Sequence, residues 1–239
     1  MDRWQGKVAV VTGISSGIGR AVATQFVEAG LKVVGLARRR ERGEELSKRL
    51  EGGKGVFYYI EADVTKEDDI LNANEWIEKN LGPVHILVNN AGTASVTTLV
   101  DGELHLWKKI LDTNVLGMRK NNVDGHIIHI NSLSGHRVFF HSTLNVYAAS
   151  KYAVTALTET LRQELNSIGS KIKISSVCPG IVDTEMLLGG SVDDFVAVEE
   201  GVPTILKPKD IADTILYILS TPPHVQIHEV QMRAQGQHA

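Results

Sequence analysis

A single cysteine, Cys178, in 239 residues leaves no internal disulfide and no multi-cysteine metal site, and it fits a reducing compartment. Long apolar runs are missing too: none approaches the roughly eighteen residues of a membrane-spanning helix. Positive charge is not in excess, with 25 Lys and Arg against 28 Asp and Glu, which argues against a broad nucleic-acid surface. No Pro/Gly/Ser-rich linker and no internal repeat divides the chain, so 1–239 reads as one domain. The opening Met1-Asp2-Arg3-Trp4-Gln5-Gly6-Lys7 is charged and runs into a strand; no secretory signal and a cytoplasmic location are expected.

What is present alternates. A β-branched run, Lys7–Val11, leads through a glycine turn to a helix over Gly17–Ala29, with Gly30 as its stop. Strands are predicted at Lys32–Ala37, Val56–Ala62, Val84–Asn89, His126–Asn131 and Lys173–Val177, with an edge strand at Val225–Gln231. Helices are predicted at Arg38–Leu50, Glu67–Asn80, Leu104–Met118, Tyr147–Ser167 and Asp210–Ser220. Repeated βα units imply an α/β fold: a single-domain, Rossmann-like, doubly wound parallel sheet with helices on both faces.

Three places carry chemistry. Thr12-Gly13-Ile14-Ser15-Ser16-Gly17-Ile18-Gly19 joins the first strand to the first helix; its glycines permit a tight turn and the approach of a diphosphate to the helix N-terminus. The second strand ends without the acidic residue that would bind a ribose 2′-hydroxyl, and Arg38, with Arg39 and Ser15, offers positive charge for a 2′-phosphate instead. That pattern predicts NADP(H) rather than NAD. Asp63-Val64 closes the third strand, where its carboxylate fits either an adenine amino group or the cap of the next helix. Asn89-Asn90-Ala91-Gly92 fits either a turn or a close approach to adenosine ribose.

The third place is the pair Tyr147 and Lys151, one helical turn apart in Tyr147-Ala-Ala-Ser-Lys151. An ammonium beside a phenol is expected to lower the phenol pKa towards the range of proton exchange near neutrality. Ser132, after the fifth strand, supplies a hydroxyl for a substrate carbonyl. His129, His136 and His141 lack metal-ligand spacing, so no metal is expected. No G-x-S-x-G elbow surrounds Ser132 or Ser134, which argues against nucleophilic hydrolysis.

Taken in order, T-G-x-x-x-G-I-G, Asp63-Val64, N-N-A-G, Asn114, Ser132, Y-x-x-x-K and Pro179-Gly180 resemble the short-chain dehydrogenase/reductase family in its NADP-preferring, single-domain form. Trp4, the strand ending in Arg38, Ser134–Val138 and the tail Leu219–Ile227 look like its insect farnesol dehydrogenase branch. The resemblance implies an NADP-dependent alcohol dehydrogenase/carbonyl reductase, with Tyr147 as general acid/base and Lys151 binding the nicotinamide ribose. Ser132 would position the substrate oxygen, and Asn114 would anchor a water that links Lys151 to solvent. It assigns the cofactor to Gly13, Ser15, Ser16, Gly17, Ile18, Gly19, Arg38, Arg39, Asp63, Val64, Asn90, Ala91 and Gly92, and to Tyr147 and Lys151. Pro179, Gly180, Val182 and Thr184 would close over its carboxamide end. Leu187–Gly201, made apolar with Met186, Leu188 and Phe195, would be a substrate loop suited to a small apolar alcohol or carbonyl compound, a farnesol-like isoprenoid or a steroid.

One spacing departs from the family. Relatives place close to thirty residues between the helix asparagine and the serine, whereas Asn114 and Ser132 are eighteen apart, so about twelve residues are missing. The prediction is a helix ending near Met118 and an extended connector over Arg119–Gly125. A real shortening and an error in the assembled coding sequence both produce that spacing. A homodimer or homotetramer is expected where the central helix is intact; the rival reading is a catalytically weak NADP-binding protein.

Overall fold

A computed structural model describes residues 1–95, 103–114, 125–138, 145–188 and 205–237. Seven parallel strands form one sheet: β1 (Val8–Thr12), β2 (Lys32–Ala37), β3 (Val56–Glu61), β4 (Val84–Asn89), β5 (His126–Ile130), β6 (Lys173–Pro179) and β7 (Glu229–Met232). Their order is β3-β2-β1-β4-β5-β6-β7. Central strands are covered on both faces, which is why β1 and β5 are buried throughout; β1 reads as a hydrophobic run over Val8–Val11, and β5 buries His126 and His129 among its isoleucines.

The two-residue period of a strand sorts the core into layers. Ala9, Val11 and Val33 point to one face, where Val22 and Phe26 of α1 (Gly17–Glu28) meet Ile211, Ile215 and Ile218. Val8, Val10, Val34 and Leu36 point to the other, against Ala73 and Ile77 of α3 (Glu67–Leu81). Each large apolar side chain buried in this way contributes about 1.5–3 kcal/mol. Between these elements, α2 (Arg40–Arg49) follows β2, α4 (Leu104–Asn114) precedes β5, α5 (Asn145–Ser167) precedes β6, and the short α6 (Glu185–Leu188) follows it. The last described helix is α7 (Pro208–Ser220), which starts on Pro208 and on an Asp210 carboxylate that accepts from the Lys207 N–H at 2.7 Å.

Most predicted elements recur within one or two residues at each end. β7 starts later than expected because the Val225 N–H donates to the Pro222 carbonyl at 2.9 Å, a turn that delays pairing. α4 is described only to Asn114; the predicted end near Met118 and nearly all of the connector lie in 115–124, outside the described residues. Most of the expected substrate loop, 189–204, lies outside them as well. Among the described residues no helix is long and apolar enough to cross a membrane.

Candidate active site

The turn after β1 is held by a lattice of neutral hydrogen bonds. The Thr12 hydroxyl accepts from the backbone N–H groups of Asn90 (3.0 Å) and Ala91 (2.9 Å), and the Asn90 side-chain amide donates to the carbonyls of Thr12 (2.8 Å) and Gly13 (3.2 Å). So close an approach requires glycine: a Cβ on Gly19 would stand 2.4 Å from both the Gly13 carbonyl oxygen and the Asn90 amide. Gly13, at φ +75°, faces Ala91 in the same way. Asn90, left open between turn and ligand contact, is a brace of the glycine turn. Ser16 caps α1 without a side-chain bond, so the first N–H groups of that helix stay open to an anion, flanked by Gly17 and Ile18.

At the end of β2 the structure sorts the two arginines. Arg39 donates to the Ser15 hydroxyl through Nε (3.0 Å) and Nη2 (2.8 Å) and to the Ser16 hydroxyl at 3.0 Å. Arg38 instead stands 3.9 Å from the Asp63 carboxylate. The arginine beside the glycine turn is therefore Arg39, with Arg38 next to Asp63. Burial pushes the Asp63 carboxyl up, but two hydrogen bonds from Thr65 and the nearby Arg38 and Lys66 outweigh it and hold the group below the usual range. Asp63 caps the turn before α3, with Val64 between it and Thr65. Glu185, at the start of α6, accepts from Arg39 at 2.8 Å and pairs with Arg42, and these bonds lower its carboxyl to about 2. Thr184 rests on Gly17, where a Cβ would come within 3.0 Å of its methyl group.

At the other end of the cleft, α5 presents Tyr147 and Lys151 on one face, with the ammonium 5.7 Å from the phenol ring centre. Ser132, extended at the start of the 3₁₀ turn Leu133–Gly135, accepts from the Ser134 N–H at 3.1 Å, and its hydroxyl pairs with the Tyr147 phenol. The expected lowering of the phenol pKa does not occur. Burial pushes the Tyr147 hydroxyl up and the Ser132 bond only partly opposes it, because the Lys151 ammonium donates to the Ile130 carbonyl at 2.9 Å instead. Lys151 itself, 7% exposed, is lowered to about 8 by burial.

The supporting shell is polar and tightly fitted. Asn114 donates to the Thr93 carbonyl (3.0 Å) and the Ser150 hydroxyl (3.1 Å) and accepts from the Thr93 N–H (2.8 Å). With its side-chain amide hydrogens committed, Asn114 offers a water only acceptor sites. Asn131 donates to Thr155, and Gly135 leaves no room for a Cβ against the Lys151 carbonyl and Thr155, both at 2.8 Å. His129, buried, donates from Nδ1 to Thr158, and burial holds it at about 4, a neutral strand residue. Pro179 ends β6; the Gly180 N–H donates to the Met232 carbonyl, and Val182 bridges to Leu206. Met186 approaches Gly92, with its methyl 3.8 Å from a Cβ placed there.

A glycine turn at a helix N-terminus, facing a Ser–Tyr–Lys cluster across the C-terminal ends of a parallel sheet, is a dinucleotide-dependent oxidoreductase layout. Residues 7–189 match the family description "short chain dehydrogenase". The chain belongs to the short-chain dehydrogenase family. Its relatives include farnesol dehydrogenase of Aedes aegypti, 47% identical over 99% of each chain. Dehydrogenase/reductase SDR family member 11 of Homo sapiens is 42% identical over 99% of this chain and 97% of its own. Among solved structures, the alcohol dehydrogenase of the archaeon Thermococcus sibiricus complexed with 5-hydroxy-NADP is 26% identical, with a TM-score of 0.83 over 98% of each chain.

As a short-chain dehydrogenase this chain is short. The match to the Aedes aegypti protein spans 250 aligned positions against 239 residues here, so at least eleven of those positions have no counterpart in this chain. That size agrees with the shortfall expected between Asn114 and Ser132. Sequence reading missed Thr12 as the hub of the glycine turn, the Glu185–arginine clasp, and the grip of Asn114 on Thr93. Thr12 and Asn90 are 78 residues apart, and no local pattern announces such a bond.

Proposed function

We propose that this chain is an NADP(H)-dependent oxidoreductase that interconverts an apolar alcohol, a farnesol-like isoprenoid or a steroid, and its carbonyl compound. The arrangement of Tyr147 between Ser132 and Lys151 carries this reading. The turn fits the cofactor: Gly13, Gly17 and Gly19 let it fold tightly against Ala91, Thr184 and Asn90, which leaves the N-terminal end of α1 available to a diphosphate. Arg39 with Ser15 and Ser16 supplies the donors for a 2′-phosphate; β2 itself ends without an acidic residue, and Glu185, which pairs with Arg39 and Arg42, would have to yield them to the phosphate.

When bound, the nicotinamide supplies or accepts the hydride. The residues of this chain handle the oxygen and its proton. Ser132 holds the substrate oxygen beside the phenol, and Tyr147 donates its proton in carbonyl reduction and recovers it in alcohol oxidation. Burial keeps the phenol protonated at neutrality, which is the form reduction needs. Lys151 is placed to bind ribose hydroxyls once it leaves the Ile130 carbonyl. Pro179, Gly180, Val182 and Thr184 form the rim on the carboxamide side, and Asp63, Val64, Asn90, Ala91 and Gly92 line the adenosine side. The similarity to farnesol dehydrogenase supports an isoprenoid alcohol.

The same reading includes a cytoplasmic location and, where the central helix is intact, a homodimer or homotetramer. Leu104 and Leu111, seven residues apart on α4, are exposed, and so is Tyr152 on α5, an apolar surface suited to a second copy. The second reading, a weak catalyst that binds NADP(H), is supported by the missing aligned positions. The test is turnover per NADPH-binding site with farnesol, farnesal and steroid substrates, in the native chain and in Tyr147→Phe. The enzyme reading expects a loss of about 10³-fold in Tyr147→Phe with NADPH affinity retained. Stoichiometric NADPH binding without native turnover of any substrate selects the second reading.

A further inference from the structure

Cys178, His136 and Glu229 share no sequence spacing, yet the sheet brings them together. β6 and β7 pair in parallel with Ser176 opposite Glu229 and Cys178 opposite Gln231, and strand alternation puts all four side chains on one face. The turn after Ser132 then delivers His136 onto that face. The Cys178 Sγ lies 3.4 Å from His136 Nε2, which lies 2.9 Å from Glu229 Oε2, and the three atoms fall within 4.8 Å of one another.

We propose that Cys178, His136 and Glu229 bind one borderline-soft divalent cation of the Zn²⁺ class at the β7 edge of the sheet. A tetrahedral ion with bonds of about 2.0–2.3 Å separates its ligand atoms by roughly 3.3–3.7 Å, close to the Cys178–His136 and His136–Glu229 separations found here. One thiolate, one imidazole and one carboxylate select Zn²⁺-class ions over Mg²⁺ or Ca²⁺, which prefer oxygen alone. The Ser176 hydroxyl, 3.3 Å from Sγ, or a water fills the fourth position. A supporting bond is also in place: Gln231 donates to the other Glu229 oxygen at 3.1 Å and fixes the carboxylate plane. Cys178 is fully buried, whereas the His136 and Glu229 side chains are 21% and 27% exposed, which gives the ion a way in.

On binding, the ion takes the place of the thiol proton, which leaves to solvent, and the His136 ring presents its lone pair from Nε2. The site lies next to the catalytic end. Gly135 precedes His136 and packs against the Lys151 carbonyl, and Cys178 precedes Pro179. An ion here would tie β6, β7 and the turn after Ser132 into one unit.

The alternative is that His136 and Glu229 form only an ion pair that fastens β7 to the turn. Cobalt(II) titration of the tag-free full-length chain separates the two. The metal site expects one Co²⁺ per chain, a near-ultraviolet thiolate-to-cobalt band, and its loss on adding one equivalent of Zn²⁺. Cys178→Ser should abolish the band, and Glu229→Gln, which keeps a hydrogen-bond acceptor for His136, should weaken Zn²⁺ affinity tenfold or more by calorimetry. Zn²⁺ should raise the melting temperature of the native chain and leave that of Cys178→Ser unchanged. If Cys178→Ser fails to fold, the Glu229→Gln comparison decides alone. Absence of a thiolate band, or undiminished Zn²⁺ affinity in Glu229→Gln, overturns the proposal.

Discussion

Around the glycine turn, the contacts among Thr12, Gly13, Asn90 and Ala91 join neutral groups, and each hydrogen bond there has its partner in the folded chain. Around Lys151 the picture reverses: among the described residues its buried amine donates to the Ile130 carbonyl, and the buried Oδ1 of Asn131, the next residue in the chain after Ile130, has no partner. The first region is what folding alone would choose. The second is electrostatically expensive, and perturbed groups in a cleft are where proton chemistry is expected. One end of the cleft is therefore built for rigidity, and the other keeps unsatisfied capacity for something that arrives later.

The contrast can be broken most severely at Gly19. Gly19→Ala drives a methyl to 2.4 Å from a carbonyl oxygen and the Asn90 amide, and should lower stability by about 3 kcal/mol in urea unfolding. A change below about 0.5 kcal/mol would show that the turn yields, and with it the claimed rigidity.

Lys151→Met should move the other way. A lysine lowered to about 8 in the fold, from 10.5 unfolded, is charged in both states below pH 8, and there the fold bears the full penalty. Stability of the native chain should therefore rise with pH between about 8 and 10.5, where the folded state releases its proton first. Lys151→Met removes the penalty at pH 7 but strands the Ile130 carbonyl, for a net gain of about 1–2 kcal/mol and the loss of that rise with pH. A variant less stable than the native chain at pH 7 would contradict this.

Smaller effects sharpen the comparison further. Arg39→Ala should weaken NADPH binding about tenfold and NADH binding hardly at all, with Arg38→Ala milder. Equal losses in both cofactors would remove the 2′-phosphate assignment. Arg40→Ala, which breaks an exposed pair with Glu44, should change stability by less than about 0.5 kcal/mol in thermal melts.

Much of this was legible in the sequence for identifiable reasons. The strands announce themselves because a parallel sheet buries both faces, which forces unbroken runs such as Val8–Val11. Tyr147 and Lys151 are four apart on a helix, so their shared face follows from the helical repeat. The direction of the Lys151 ammonium does not follow, because it depends on a carbonyl in β5, 21 residues away. Which arginine turns towards Ser15 is likewise set by the path of the chain out of β2, a three-dimensional property that two adjacent identical letters cannot encode. The pKa of Tyr147 was misjudged for a related reason: proximity was visible in the spacing, whereas burial and the competing acceptor were not.

The bracing of Gly13 by Asn90 bears on speed as well as shape. Because the loop is already fixed by bonds between β1 and β4, a diphosphate that docks there has little backbone entropy left to remove, and its grip can be strong without many contacts. Nucleotide capture should then be limited by diffusion and charge rather than by any folding of the loop around its guest.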